Sequence, residues 1–387
     1  MGDSESFWQS ALLSRGRFLG LGALAVIGAA CGGGKSETGG GTSTPAASTG
    51  GAAAPPPSGL EQELRIYNWA QYIDPASEKA YAKELGVKVT ETNYGSNEEL
   101  FTKLQTTKGQ SVYDIIVPDA DHVRIEKDLG LLLELDHEQI PNLANLAPHW
   151  TQLPYDIGNV YSVVKDIGIT CMAYRTDLIK QDLKSWKDFF DYLPSTPAGV
   201  RVNVIESPSE IIGVALNSLG HSMSTEDDAQ LEEARKLLLA VRPFIDTINV
   251  LDIDDMSSGK IHMAITYSGD GLRAQAARAK QNDFTVVAPE GLSEIWIDNW
   301  SISAFAPDPK AAHAWINFIL EPKNNAREML YHNYEVGTPD SFPLVGDLAT
   351  NPLIVFGDRI LNDYEILKTT PSGLEKRIKI WDEFKAA

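Results

Sequence analysis

Cysteine is scarce in this chain: Cys31 and Cys171 are the only two among 387 residues. With Cys31 committed to the N-terminal signal described below, no intramolecular disulfide is available, and Cys171, inside the apolar run 167–173, reads as an inert core thiol. Positive charge is also short, since 33 Lys and Arg face 53 Asp and Glu for a formal net charge of −20. Phosphate binding needs basic patches, so nucleic acid is excluded as a partner. The acidic balance favours solubility and helps gather cations. Beyond the N-terminus no segment is apolar for long enough to cross a membrane as a helix, which takes ~20 residues. Seven histidines are scattered, with neither the paired spacing of a metalloprotease nor a His/Cys zinc cluster. No phosphate-cradling glycine loop and no nucleophile elbow occurs in the folded part. Asp252, Asp254 and Asp255 briefly resemble a calcium loop, but Met256 and Ser257 stand where an EF-hand places a ligand and a glycine, so a turn suffices. Gly269-Asp270-Gly271 is too short for a dinucleotide site and reads as the start of a helix. These absences leave no catalytic constellation, no cofactor and no metal: the chain does not read as an enzyme.

The N-terminus carries a positive signal. Arg15 and Arg17 precede a thirteen-residue apolar run, 18–30, that is too short to span a bilayer and ends in Gly28-Ala29-Ala30. That is the layout of a secretory signal over residues 1–30. Cys31 follows directly, which suggests a bacterial lipoprotein cut before the cysteine, with acyl chains on Cys31 sufficient for stable anchoring. Gly28 departs from the usual leucine. Ser14-Arg15-Gly16-Arg17-Phe18-Leu19 looks like a twin-arginine motif with its second arginine replaced by glycine, leaving the export route open. Residues 31–63 are Gly, Ser, Thr, Ala and Pro with hardly any large apolar side chain, a composition that makes a flexible tether. The expected location is extracytoplasmic, anchored in the periplasmic space or on the outer face of the cytoplasmic membrane.

From Leu64 to Ala387 the chain exceeds a usual single core and predicts two lobes. Residues 64–69 form a short β run. Asp74-Pro75 starts a helix that Gly86 closes, and 87–90 alternates like the next strand. Ser96 to Glu99 has capping-box spacing and opens a helix to about Lys108. The continuous apolar strand 113–118 suits a sheet covered on both faces, and a strand is expected at 261–266. Helices are expected at 185–192, 210–219, 225–240, 309–320 and 372–384. The alternation gives an α/β class, in which ligands bind outside the carboxyl ends of strands. Trp69, Asp119, Glu210 and Tyr267 all fall at such ends or at helix starts.

Trp296-Ile297-Asp298-Asn299-Trp300 places an indole, a carboxylate and an indole on one face of an extended strand. This is the chemistry of a cage for an organic cation, since indole faces attract an ammonium by roughly 0.5–2 kcal/mol. Two tryptophans so spaced also make the buried face of an ordinary strand.

Taken in order, Tyr67-Asn68-Trp69-Ala70-Gln71-Tyr72, Val117-Pro118, Glu210 before an apolar helix, Tyr267-Ser268-Gly269, Trp296-Ile297-Asp298 and Thr338-Pro339 resemble the periplasmic spermidine/putrescine-binding proteins over nearly the whole folded length. The resemblance implies a two-lobed periplasmic-binding-protein fold of type II, with a ligand cleft between lobes joined by hinge segments. Lobe 1 would be 64–173 plus 298–338 and lobe 2 would be 174–297 plus 339–387, with crossings near Ala173, Ser301 and Pro339. It implies that Trp69, Tyr72 and Trp296 wall the aliphatic stem of a polyamine, that Asp298 bonds a charged amine, and that Glu210 is one of a pair of acids at the far end. Ser207 stands where the other acid often is, beside Glu206. Tyr267 replaces a family tryptophan, and Asp119 and Asp121 replace Ser and Tyr. A wall tyrosine aligns with Val336, and the C-terminal polar contact near Lys368 has no clear counterpart. Trp300 falls where the family is aliphatic, so it reads as structural. The implied function is capture of a polyamine and its delivery to a membrane permease of the ABC type. Alternatives are a protein of the same fold for an amino acid, a thiamine-like cation or ferric ion, or a two-lobed enzyme. A carboxylated ligand would want an arginine in the cleft, for which Arg201 and Arg273 are the candidates.

Overall fold

The computed structural model describes residues 59–107, 112–249, 253–291, 293–356 and 364–387. The signal, Cys31, most of the tether and Asp252 lie outside the described residues. β1 (Glu63–Trp69) leads to Asp74, whose side chain accepts the Ala76 N–H to open α1 (Pro75–Leu85); Gly86, at φ 72, stops that helix in the left-handed region. β2 (Lys88–Tyr94) follows. Ser96 caps α2 (Asn97–Thr106) by accepting the Glu99 N–H, while the Glu99 carboxylate reaches back to Gly95 N–H rather than to Ser96. The strand expected at 113–118 shrinks to β3 (Ile115–Ile116). Asp114 uses its carboxylate to accept the backbone N–H groups of Arg65 (2.8 Å) and Asp308 (2.6 Å), and Pro118 has no N–H to give a ladder. Asp119 then caps α3 (Ala120–Asp128).

A hairpin of β4 (Gln152–Leu153) and β5 (Asp156–Ile157) precedes β6 (Ser162–Arg175), the longest strand described. Next come α4 (Trp186–Tyr192) with a complete capping box from Ser185 and Asp188, β7 (Val202–Val204), α5 (Pro208–Ser218), α6 (Asp228–Val241) and β8 (Thr247–Ile248). α7 (Ile253–Ser258) takes Asp254 and Asp255 into its first turn, where a loop was expected. β9 (Met263–Tyr267), α8 (Ser268–Ala277), β10 (Phe284–Val287) and β11 (Ser293–Ile302) complete the middle of the chain. The last elements are α9 (Pro309–Ile319), α10 (Pro322–His332), β12 (Glu335–Val336), β13 (Tyr364–Glu365) and α11 (Pro371–Ala386).

The main sheet runs β2-β1-β3-β11-β6-β9-β7-β8. At one end β2, β1 and β3 are parallel, and at the other β9, β7 and β8 are parallel. Two long antiparallel strands join them. β11 pairs with β6 from Ile295↔Ile169 to Ser301↔Ser162 and reaches β3 at Ser301 and Ile302. β6 changes partner between Ile169 and Thr170, pairing with β9 from Thr170 to Tyr174. The crossing expected near Ala173 falls on this same strand.

Each wing has its own apolar packing. In the β9–β7–β8 wing, Trp186, Phe189, Val202, Ile212, Leu238, Trp381 and Phe384 share one core, so the C-terminal helix α11 closes it. In the other wing Tyr81, Trp315 and Phe318 make edge-on and tilted contacts, with Trp300 5.8 Å from Trp315. Residues 339–350, expected to begin lobe 2, pack against α10: Val345 joins Met329 and Ala326, with Phe342 and Leu348 against them, and Ser341 Oγ donates to Pro322 O at 3.0 Å. Their apolar side chains find cover on that helix together with Leu272 of α8.

Candidate ligand-binding cleft

One open pocket of ≈ 560 Å³, part of it solvent, gathers seven of the eight residues expected to touch a ligand: Trp69, Tyr72, Asp119, Glu210, Tyr267, Trp296 and Asp298. They come from the end of β1, the start of α3, the first turn of α5, the end of β9 and the middle of β11. Apart from the two on β11, they lie at or just beyond strand ends and at helix starts, where the α/β rule places ligands. Ala70, Gln71, Asn97, Asp270 and Tyr334 complete the lining. Gln71 holds a left-handed φ of 57°, a conformation unusual for a residue with a Cβ, in the turn between Trp69 and Tyr72.

Aromatic rings form a continuous wall. Trp296 meets Tyr267 edge-on at 5.6 Å and Tyr334 at 4.8 Å, and Tyr334 meets Tyr72 at 5.8 Å. Trp69 stands apart, tilted against Tyr94 at 4.7 Å. Gly168 lies directly across the strand pair from Trp296, and a Cβ there would fall 2.2 Å from the indole. The glycine makes room for the wall.

The acids differ in how they are held. Asp119 Oδ1 accepts His122 N–H (2.7 Å) and lies 2.9 Å from His122 Nδ1, while Oδ2 accepts Asn97 Nδ2 at 2.8 Å. Burial alone would raise its carboxyl, but the imidazolium beside it brings it below the ordinary range. His122 itself, against burial, is raised to about 10 by Asp119. Glu210 accepts from Thr170 Oγ1 (2.7 Å) and Tyr267 Oη (2.9 Å); burial pushes it up to about 7 although those hydroxyls and Ser207 oppose the rise. Burial carries Asp270 to about 6, with Arg273 and Tyr334 pulling the other way. Asp298 is buried, lies 2.7 Å from Tyr72 Oη, and is held well above the ordinary range by burial and by the charge of Asp166. Four carboxylates therefore line the pocket, and among the described lining residues none is Lys, Arg or His.

Asp121 is not in this lining. It points to the start of α11, where its carboxylate accepts Thr369 N–H at 3.0 Å and the Thr369 hydroxyl, while Arg124 donates to Thr369 O. On α3, two residues past the Asp119 cap, a side chain faces a different direction, and here it meets Thr369. Val336 is also a core residue, 1% exposed and paired with Asp166 on β6; the wall tyrosine is Tyr334, two positions earlier. Tyr334 and Asp270 were both missed. The signal for Asp270 is the acid that directly follows Tyr267-Ser268-Gly269, on a turn that lines the cleft. Glu206 turns away to pair with Lys385 at 3.2 Å. Arg201 is outside the lining, and Arg273 sits behind it, 3.9 Å from Asp270 and 3.5 Å from Gln71 Oε1.

Trp300 is 1% exposed, packed on Trp315, and the ammonium near it is internal: Lys165 Nζ lies 5.3 Å from its ring and 3.4 Å from that of Tyr72. The register of β6 against β11 slips between Asp298 and Asn299, whose partners are Asp166 and Val164, so Lys165 is the extra residue of a bulge.

Relatives bear on this geometry. A putrescine/cadaverine-binding protein of Pseudomonas aeruginosa is 30% identical over 84% of this chain and 94% of its own length. Spermidine/putrescine-binding periplasmic protein 1 of Haemophilus influenzae is 27% identical over 83% and 88%. The solved spermidine/putrescine ABC transporter substrate-binding protein of Streptococcus pneumoniae superposes with a TM-score of 0.66 at 26% identity, covering 84% of this chain and 99% of that one. The sequence profile of bacterial extracellular solute-binding proteins matches residues 76–354. With an α/β fold of two wings and a pocket at their strand ends, the chain belongs to the bacterial extracellular solute-binding protein family.

Proposed function

We propose that this protein captures a polyamine, spermidine or putrescine or a close relative, and delivers it to an ABC-type permease. The observation that carries the reading is the lining itself: four acids, four aromatic walls besides Trp69, and no basic side chain among the described lining residues. A protonated polyamine places ammonium charges at intervals along an apolar stem, so it needs acids separated by rings. In the lining Asp270 neighbours Tyr334, Asp298 lies 2.7 Å from Tyr72 Oη with Asp119 bridged to its backbone, and Glu210 takes the Tyr267 hydroxyl, so acids are interleaved with rings. An amino acid would leave its carboxylate among acids, with Arg273 already engaged by Asp270 and Gln71.

Capture works by closure of the two wings about β6 and β11, with lobe 1 and lobe 2 exchanging at the partner switch near Ile169 and Thr170. Only a ligand with greater affinity for the closed form shifts that equilibrium. The bonds of Asp121 and Arg124 to Thr369, and of Ser209 Oγ to Glu98 Oε1 at 2.8 Å, tie the wings outside the pocket. A lipid on Cys31 and the tether would hold the protein near its permease. Titration followed by tryptophan fluorescence tests the reading, because Trp69 and Trp296 line the pocket: spermidine and putrescine are expected to give saturable changes, and glycine, glutamate and ferric citrate none. Saturation by an amino acid alone would overturn it. Polyamine recovered chemically altered would favour the enzyme alternative.

A further inference from the structure

Behind the cleft, two carboxylates meet one phenol with too few hydrogens for both contacts. Tyr72 Oη bonds Asp166 Oδ1 and lies 2.7 Å from Asp298 Oδ2. A phenol donates a single proton, so one of the two contacts needs a proton carried by a carboxyl group. Lys165 decides which. The bulge turns it inward, where its Nζ lies 2.6 Å from Asp166 Oδ2 with both residues 2% exposed or less. His332 stands on the same side, with its Nδ1 accepting the Tyr334 N–H at 3.1 Å and its Nε2 3.1 Å from Asp166 Oδ2 without a hydrogen bond between them. Burial together with Lys165 holds His332 well below its usual range, so the ring is neutral. Burial raises Asp166 too, but with the Lys165 ammonium against it and the Tyr72 hydroxyl pulling the same way, Asp166 is the ionised partner and accepts from Tyr72. The Tyr72 oxygen is then left to accept from Asp298.

The other groups facing this chain do not change the assignment. Asp119 bridges the Asp298 backbone and adds negative charge, which favours a protonated Asp298. Tyr94, Tyr155 and Tyr267 are neutral phenols near Asp298. Beyond Lys165 lie Glu91 and Glu328, the latter bonded by Ser77, and Asp270 adds its charge near Asp166.

We propose that Lys165 is a positioning residue that, by keeping Asp166 ionised, leaves the spare proton on Asp298 until a ligand ammonium arrives and displaces it to solvent. The carboxyl O–H of Asp298 breaks, the carboxylate pairs with the ligand N–H, and the proton goes to water or buffer. This rests on the polyamine reading above.

Calorimetric titration of the protein with putrescine and with spermidine at pH 8, in three buffers of different protonation enthalpy, counts the protons. At that pH Glu210 and Asp270, at about 7 and about 6, have largely lost theirs. About one proton is expected to leave per putrescine bound, and fewer per spermidine, whose secondary amine takes up part of a proton on binding at this pH. In Lys165→Met, Asp166 loses its ammonium and takes over the proton through Tyr72, so binding persists while release falls toward zero; Lys165→Arg keeps the charge and restores it. Should Lys165→Met not fold, the wild-type count decides alone, together with an affinity that rises about tenfold per pH unit over the range where Asp298 titrates. Binding without proton release at pH 8, or an unchanged count in folded Lys165→Met, would overturn the inference. No heat with either polyamine overturns the ligand reading and this inference with it.

Discussion

At Asp298 a buried carboxyl group gains its charge partner only from the ligand, whereas Tyr267 contributes a ring face and one hydrogen bond to Glu210. The two substitutions should therefore separate. Asp298→Asn is expected to weaken polyamine binding by roughly 3–5 kcal/mol, the scale of losing one partner of a buried ion pair. Tyr267→Phe should cost about 1 kcal/mol, since the ring remains. Calorimetry on both variants checks the order, and the reverse order would place the ligand's ammonium elsewhere. Gly168→Ala probes the wall rather than the charge. Its methyl would sit 2.2 Å from the Trp296 indole, so the ring must shift or the strands part. Overpacking of this kind costs roughly 1–3 kcal/mol of stability, and the variant should bind more weakly than its unfolding midpoint alone accounts for.

At the scale of elements, the α/β alternation and most helices were legible because caps and periodicity are local. Asp74 with Pro75, Ser96 with Glu99, and Ser185 with Asp188 all cap helices where the sequence places them. α10 was not legible: its sequence is polar almost throughout, and its boundaries rest on Pro322 and on Asn333 at φ 62. The bulge at Lys165 was hidden as well, since a register slip is a relation between two distant strands. The cleft residues on strand ends could be read in order along the chain. Asp121 could not, because nothing local tells that Thr369, 248 residues away, takes its carboxylate. That contact makes its own prediction: Thr369→Val removes the hydroxyl bond across the wings while leaving the pocket lining intact. Weaker polyamine binding with an unchanged number of sites is expected by calorimetry, and unchanged affinity would remove this contact from the account of closure.

The whole molecule carries a formal charge of −20 and several acids that folding protonates. Burial raises Glu126 to about 8 and Glu210 and Glu328 to about 7. Each binds its proton more tightly folded than unfolded, so its contribution is complete below the ordinary glutamate range and is lost as pH climbs through 7 to 8. His122, raised to about 10 by Asp119 despite burial, acts in the same direction: its contribution is present below about 6.5 and lost through 10. The urea midpoint of the ligand-free protein should accordingly fall between pH 5.5 and pH 9, and a rise would contradict these environments. The central claim, that the acid-lined and ring-walled pocket is built for a polyamine, is tested most directly by a thermal-shift panel of polyamines, amino acids and metal ions. At about a hundred times its dissociation constant, a true ligand adds roughly 2.7 kcal/mol of stability. A clear rise in midpoint with putrescine or spermidine, and none with amino acids or metals, is the predicted result; silence from every polyamine would contradict the account.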